Sequence, residues 1–366
     1  MDTRSAASEQ TSAEDAAAYR PKRFVAKPSF SRGFADWLHR NRTALVCSTY
    51  QTGHLIFIGA RSSGQLAMTT AAFSRPMGLV AFSQRIYLAA QHEIWRLENV
   101  LRPGEVANDT FDRLFVPRNA QLTGDLDTHE IAVEPSGRIV FANTKHSCLA
   151  TLSTIQSFKP IWKPKFISKL AAEDRCHLNG IAMEQGQARY VTACSQTDVV
   201  DGWRDRRHDG GVLIDITNDQ VIADGLSMPH SPRVQGEHIY LLESGRGFLT
   251  RVERATGRRE DVAFCPGFAR GLVLHGDYAI LTLSLPRAGS FTGLALEASL
   301  QERGATARCG VQIIDTRNGD VVEWTRFGGD VTELFDVAAI DGARCPRGLG
   351  PTDGDLSETI RWETGA

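Results

Sequence analysis

The sequence predicts an all-β protein: a six-bladed β-propeller whose ring is closed by pairing of the N-terminal strands with the C-terminal one. Three observations predict it. Short apolar strands recur between turn residues, five segments superpose on one another, and the two chain ends each lack what the other supplies.

Helix-period patterning is confined to SFSRGFADWLHRNR, residues 29–42, where Phe34, Trp37 and Leu38 share one face and predict a short N-terminal helix. After it come ALVCSTY, HLIFIGA, RIYLAA, RIVFAN, ARYVTA, GVLIDI, HIYLLES, YAILTLS and VQIIDT, separated by Gly, Asn, Asp and Pro. Strands in series without intervening helices mark an all-β chain.

The superposable segments are RPMGLVAFSQRIYLAA from Arg75, DTHEIAVEPSGRIVFAN from Asp127, HLNGIAMEQGQARYVTA from His177, MPHSPRVQGEHIYLLES from Met228 and FARGLVLHGDYAILTL from Phe268. Each is an apolar strand, a tight turn and a second apolar strand. A sixth, ELFDVAAIDGARC from Glu333, keeps the first strand and the turn but lacks the second strand. ALVCSTY and HLIFIGA have no first strand of their own, so they complete the sixth unit and close a ring. Units of about 40 to 65 residues suit a four-stranded blade with variable loops. A β-sandwich with coincidental similarity is the competing architecture, and the complementary ends disfavour it. The expected organisation is a disordered arm over 1–28, a single propeller over 29–350 and a tail over 351–366.

Charge and composition narrow the function. With 41 basic against 43 acidic residues and no Lys/Arg block, there is no track for a phosphate backbone, and nucleic acid is not an expected partner. Seven cysteines stand singly with no CxxC pair, which predicts reduced thiols and a cytoplasmic setting. No apolar run is long enough to cross a bilayer, so no membrane partner is expected. The oligomeric state is left open.

Inner strands of a propeller face the axis, with alternate residues lining the channel. Superposition gives one ring of Met77, His129, Asn179, His230, Arg270 and Asp336, and a second ring two residues earlier of Arg75, Asp127, His177, Met228, Phe268 and Leu334. Packing alone would favour Val, Ile or Ala at such positions. Imidazole and carboxylate groups from several blades suit a divalent transition metal (iron, zinc or manganese), with His129, His177, His230 and Asp336 as ligands and Asn179 as a neutral oxygen donor. The same polar rings are also compatible with hydrogen bonding to channel water, because no local motif fixes a ligand geometry. His129, His177 and His230 suit acid–base chemistry, and Arg270 suits an anionic substrate group. Arg75, Asn179, Asp198, Trp203, Arg204, Arg233, Glu243 and Arg246 complete the expected substrate-binding set, drawn from the channel and from loops at its rim. The segment 284–310 is long enough to act as a lid. No nucleotide cofactor motif is present.

The strings RPMGLV, HEIAV, FANTKHSCLATL, KPKFISKLAAEDRCHLNGIAM, RYVTACSQTDVVDGWR, DGGVLIDI, GLSMPHSPRV, LLESGRGFLTRV and PGFARGL closely resemble a bacterial family of conserved hypothetical β-propeller proteins. Members are sometimes found beside tetratricopeptide or transferase modules. The resemblance spans roughly residues 30–350 and departs from the family pattern at 194–200 and in the 284–310 loop, where rim chemistry is set. It implies the propeller and brings no activity. Two functions follow from the residues: an enzyme with a metal-assisted site in the channel acting on a small anionic or polar molecule, or a non-catalytic module recognising a glycan, peptide or protein through its rim.

Overall fold

The computed structural model describes residues 24–286 and 293–362. Six sheets form a ring. Blade 1 runs over Leu79–Phe82, Arg85–Ala89, Glu93–Asn99 and Arg113–Leu122; blade 2 over Thr128–Val133, Ile139–Asn143, Cys148–Thr151 and Lys159–Trp162. Blade 3 takes Leu178–Glu184, Gln187–Ala193, Gly211–Asp215 and Gln220–Leu226, and blade 4 takes Pro229–Gln235, His238–Glu243, Phe248–Glu253 and Arg259–Phe264. Blade 5 is Phe268–His275, Tyr278–Ser284, Gly310–Asp315 and Val321–Arg326. Blade 6 joins Val337–Asp341 to Thr43–Thr49, His54–Ala60 and Leu66–Ala72, with Thr43 opposite Asp341 and Cys47 opposite Val337. The ring closes as the sequence predicts.

The ends extend this closure. Residues 1–23 lie outside the described residues, but 24–28 do not behave as an arm. Phe24 stacks on His54 with ring centroids 4.0 Å apart, Lys27 N–H donates to Gly328 O at 3.0 Å, and Ser29–Phe30 adds a fifth strand to blade 5. Helix α1 (Phe34–Arg40) buries Phe34, Trp37 and Leu38 between blades 5 and 6, on the face that the periodicity selects. At the other end, Pro346–Gly348 pairs in parallel with Arg113–Phe115 of blade 1. Arg118 then donates to Thr359 O at 2.6 Å, so much of the tail is tied to the propeller.

A narrow waist crosses the channel. Gly78 of blade 1, Gly180 of blade 3 and Gly271 of blade 5 each abut the next blade so closely that a Cβ would lie 2.6 Å from His129 O, 2.4 Å from Pro232 Cδ and 2.5 Å from Asp336 Cα, respectively. Glycine at alternate blades lets the inner strands touch at this level. Two carboxylates stitch the waist: Glu130 accepts from Ile181 N–H at 2.8 Å and Asp336 from Leu79 N–H at 2.9 Å, each reaching the residue after its neighbour's glycine.

The waist corrects the register of the sixth unit. Asp336 is the counterpart of Glu130, not of His129, and the counterpart of His129 is Phe335, which lines the cavity above. A shift of one residue sends every side chain of a strand to its opposite face, and the repeat had no second strand to fix the register.

Candidate functional site

Above the waist the channel opens into a cavity of about 430 Å³. It falls within the usual range of small-molecule sites, roughly 300–1,000 Å³. His129, His177 and His230 all line it, together with Arg75 and Arg270.

His129 and His230 are held by the same device. In blade 2, Nδ1 of His129 is 2.8 Å from Asp127 O and 2.9 Å from the Thr144 hydroxyl, which gives its own proton to Leu178 O at 2.6 Å. The hydroxyl therefore accepts from the ring, and Nδ1 carries the proton. In blade 4, His230 Nδ1 is 2.8 Å from Met228 O and 2.9 Å from the Ser244 hydroxyl, which donates to Ala269 O. Cys194 occupies the matching place in blade 3, where Asn179 stands in for the imidazole and donates from Nδ2 to its Sγ at 3.5 Å.

The acceptor carbonyls come from residues in left-handed backbone. Arg75, Asp127, His177 and Met228, at equivalent entries to four inner strands, have φ of 47°, 52°, 51° and 48°. Such angles are uncommon for residues with a Cβ and collect at sites where geometry is imposed.

His177 is held differently. Its Nδ1 lies 2.9 Å from Asp174 Oδ2, an atom that also accepts from Trp203 Nε1 at 2.8 Å, and the imidazole stacks on the indole. His177 meets His129 edge to face with centroids 4.7 Å apart. With Nδ1 engaged in all three rings, Nε2 is the nitrogen left to the cavity, and it has no hydrogen-bond partner among the described residues. Burial holds His129 down at about 4, and burial with the neighbouring Arg270 charge holds His230 well below the ordinary histidine value. Both are neutral at neutral pH.

Arg270 lies deep in the cavity among the rings of Tyr50, Phe268 and Phe335, its Cζ 5.3, 5.1 and 5.2 Å from their centroids. Its Nε is buried with no hydrogen-bond partner, and no carboxylate among the described residues forms an ion pair with it. Burial lowers its pKa against the opposing charges of Glu333 and Asp127. Arg75, by contrast, is paired with Asp127 and with Asp125 at 3.4 Å. Burial raises the Asp127 carboxyl, and the charges of His129, His177, Arg75 and Arg270 outweigh it and hold the group low.

The remaining expected residues divide sharply. Trp203 and Arg204 reach the cavity wall, but Trp203 has His177 on its ring and the Arg204 Cζ 4.6 Å from its centroid, so it positions rather than stacks a ligand. Asn179 is turned into its own blade, accepting from the Thr192 hydroxyl at 2.8 Å. Asp198 is bound to Arg175 and to Ser168 N–H at 3.1 Å, away from the cavity. Glu243 is fully buried, taking Arg246 at 2.7 Å and Ser227 N–H at 3.0 Å, while Arg246 also bridges to Asp261 at 2.6 Å; this pair fastens blade 4.

Arg233 sits below the waist, ion-paired with Glu130, beside a second, mostly apolar cavity of about 360 Å³. Burial pushes Glu130 up to about 7 and Asp336 up to about 6. Asp336 spends its oxygens on Leu79 and Val337 N–H groups and does not join the histidines, so the expected set of His129, His177, His230 and Asp336 is not assembled. Among the described residues no group of three or more His, Cys, Asp or Glu side chains is disposed to share one cation.

In the 284–310 segment, residues 287–292 lie outside the described residues. The rest carries helix α2 (Ala295–Glu302), and Leu294 and Leu296 pack with Trp203, Met228 and Phe268 behind the cavity wall. Leu296 N–H donates to Gly245 O at 2.8 Å, fixing the segment to blade 4. Sequence reading missed Tyr50, Asp174 and Phe335. Asp174 was the accessible one, three residues before His177, a spacing that allows carboxylate and imidazole to meet.

Fold and site together define a six-bladed β-propeller with a histidine- and arginine-lined chamber at one mouth of its channel. The chain belongs to the family described as Domain of unknown function (DUF4915), whose profile matches residues 32–349. No curated protein matches the sequence. Among solved structures it is similar to one titled "Crystal structure of Nidogen/Laminin Complex", at 14% identity and a TM-score of 0.53, covering 83% of this chain and 100% of that one. At that identity the likeness speaks to the fold alone. All seven cysteines are buried free thiols, and no helix among the described residues is long and apolar enough to cross a membrane.

Proposed function

We propose that the protein is an enzyme that binds a small anion in the upper chamber and acts on it by histidine acid–base chemistry. The observation that carries the reading is Arg270, a guanidinium with aromatic walls, an unpartnered Nε and no ion-paired carboxylate among the described residues. A desolvated guanidinium with no carboxylate in direct contact is costly, and an anionic ligand is the natural compensation. Around it stand neutral imidazoles whose protonated nitrogen is already fixed, the state a general base requires. His177 differs in having a carboxylate on Nδ1, which fixes the ring's orientation and leaves Nε2 as its acceptor toward the cavity.

The test is thermal unfolding of wild-type protein and Arg270→Leu at matched ionic strength, with sulfate, phosphate and simple carboxylates against chloride. An anion that raises the wild-type midpoint and leaves that of Arg270→Leu unmoved supports the reading. Equal shifts in both proteins, or none in either, overturn it.

A further inference from the structure

The chamber's hydrogen-bonding complement says more than its charge. Resting on the anion-site reading, we propose that the ligand is a polyhydroxylated monoanion of sugar-acid size, its charged end at Arg270 and its hydroxyl groups donating to His129, His177 and His230.

The first step is a count of what each side chain offers. Each of the three rings spends its Nδ1 proton on protein: His129 on Asp127 O, His230 on Met228 O, His177 on the Asp174 carboxylate. Each therefore presents a lone pair, and only a lone pair, at Nε2. These acceptors line the same cavity as Arg270, which offers only donors. A ligand that satisfies both must be anionic at one end and carry O–H or N–H donors along its length. An alkyl carboxylate would satisfy the arginine and leave three acceptors facing carbon. Sulfate would bring acceptors to acceptors. Sites built to hydrogen-bond a hydroxyl reject the analogue that lacks it, because their own polar groups are left unpaired.

The second step is the number of charges. Four arginines line the cavity: Arg75 is paired with Asp127 and Asp125, Arg204 with Asp201 at 3.4 Å, Arg207 comes from the same rim loop as Arg204, and Arg270 stands at the inner strand of blade 5 without an ion-pair partner among the described residues. One such guanidinium matches one carboxylate. The third is size. A cavity of about 430 Å³ above a closed waist holds one sugar-sized unit and not a polymer threaded through the channel.

Calorimetric titration with four probe classes tests this: hydroxylated carboxylates (gluconate, galactonate, glucuronate and galacturonate), hexanoate, sorbitol and sulfate. At least one hydroxylated carboxylate is expected to bind wild-type protein at least about tenfold more tightly than hexanoate, with sorbitol silent. In His129→Phe/His230→Phe that preference is expected to fall below about threefold, with hexanoate little changed. Long-range ¹H–¹⁵N spectra of the wild type supply a readout that does not depend on the variant folding: the Nε2 resonances of the three rings move on adding the hydroxylated probe and not on adding hexanoate. Hexanoate binding as tightly as every hydroxylated carboxylate overturns the proposal while leaving the anion site standing. Sorbitol binding as well as the acids, or no anion binding at all, overturns both.

Discussion

The imidazole of His177 lies against the indole of Trp203, ring centroids 4.2 Å apart and planes at 27°, and both rings donate to the same oxygen of Asp174. One carboxylate thus fixes the orientation of two rings and the tautomer of one. Asp174→Asn removes the charge from this acceptor and turns one of the two oxygens beside His177 Nδ1 into an N–H donor. We expect ¹⁵N spectra to show His177 as Nδ1–H in the wild type and as mixed tautomers in the variant, with a displaced Trp203 indole N–H signal. The stability loss should be about 1.5–3 kcal/mol, the range for hydrogen bonds to a charged group. A wild-type His177 found mainly as the Nε2–H form would refute this geometry.

Stability should depend on pH through two opposed groups. His129 is neutral in the fold down to about 4 but takes a proton near 6.5 when unfolded, so between those values the unfolded chain binds more protons and stability falls as pH falls. The full effect is on the order of 3 kcal/mol, and His129→Asn should flatten that acid limb. Glu130 runs the other way. Its folded value of about 7 against 4.5 means that the fold binds more protons in that window, and stability declines as pH rises through it. Glu130→Gln should therefore gain on the wild type between pH 5 and 8. Urea midpoints at several pH values check both, and variant profiles parallel to the wild type would contradict them.

The waist glycines should not tolerate a methyl group. Gly271→Ala places Cβ 2.5 Å from the Asp336 backbone and Gly78→Ala places it 2.6 Å from His129 O. Neither neighbour is a flexible tip, so a loss of about 1–3 kcal/mol or more is expected for each. Gly328→Ala, with its nearest atom at 3.8 Å, is the tolerant control. Denaturation that ranks all three together would argue against strand contact at the waist.

At Met228, φ of 48° inverts the usual order of small residues. Met228→Ala and Met228→Gly lose the same packing, but only glycine relieves the left-handed backbone, by about 1 kcal/mol. The glycine variant should be at least as stable as the alanine one. A clearly less stable Met228→Gly would show that the backbone at this entry is not strained.

Much of this was legible from residue patterns. Strand alternation, five internal repeats and mutually deficient ends specify the ring, and three histidines and Arg270 were placed in the channel by superposition alone. What failed did so for definable reasons. Asp336 was displaced by one position because a repeat with a single strand has no partner to fix its register, and a one-residue slip exchanges channel for waist. Glu243, Arg246 and Asp198 have the composition of a binding rim, yet their charges meet within and between neighbouring loops and strands. Tyr50 enters from the far end of the chain, a relation that local spacing does not carry. The assignment of Nδ1 protons is invisible to sequence, since it depends on which carbonyl a left-handed residue turns toward the ring.

The closing of blade 6 also orders events during synthesis. Tyr50 leaves the ribosome early and Phe335 late, yet both stand beside Arg270 in the finished chamber. The strand Thr43–Thr49 acquires its inner neighbour only when Val337–Asp341 has emerged. Until then it is an unprotected edge, and the chamber lacks a wall. A nascent or truncated chain can therefore possess five blades and every histidine and still have no site.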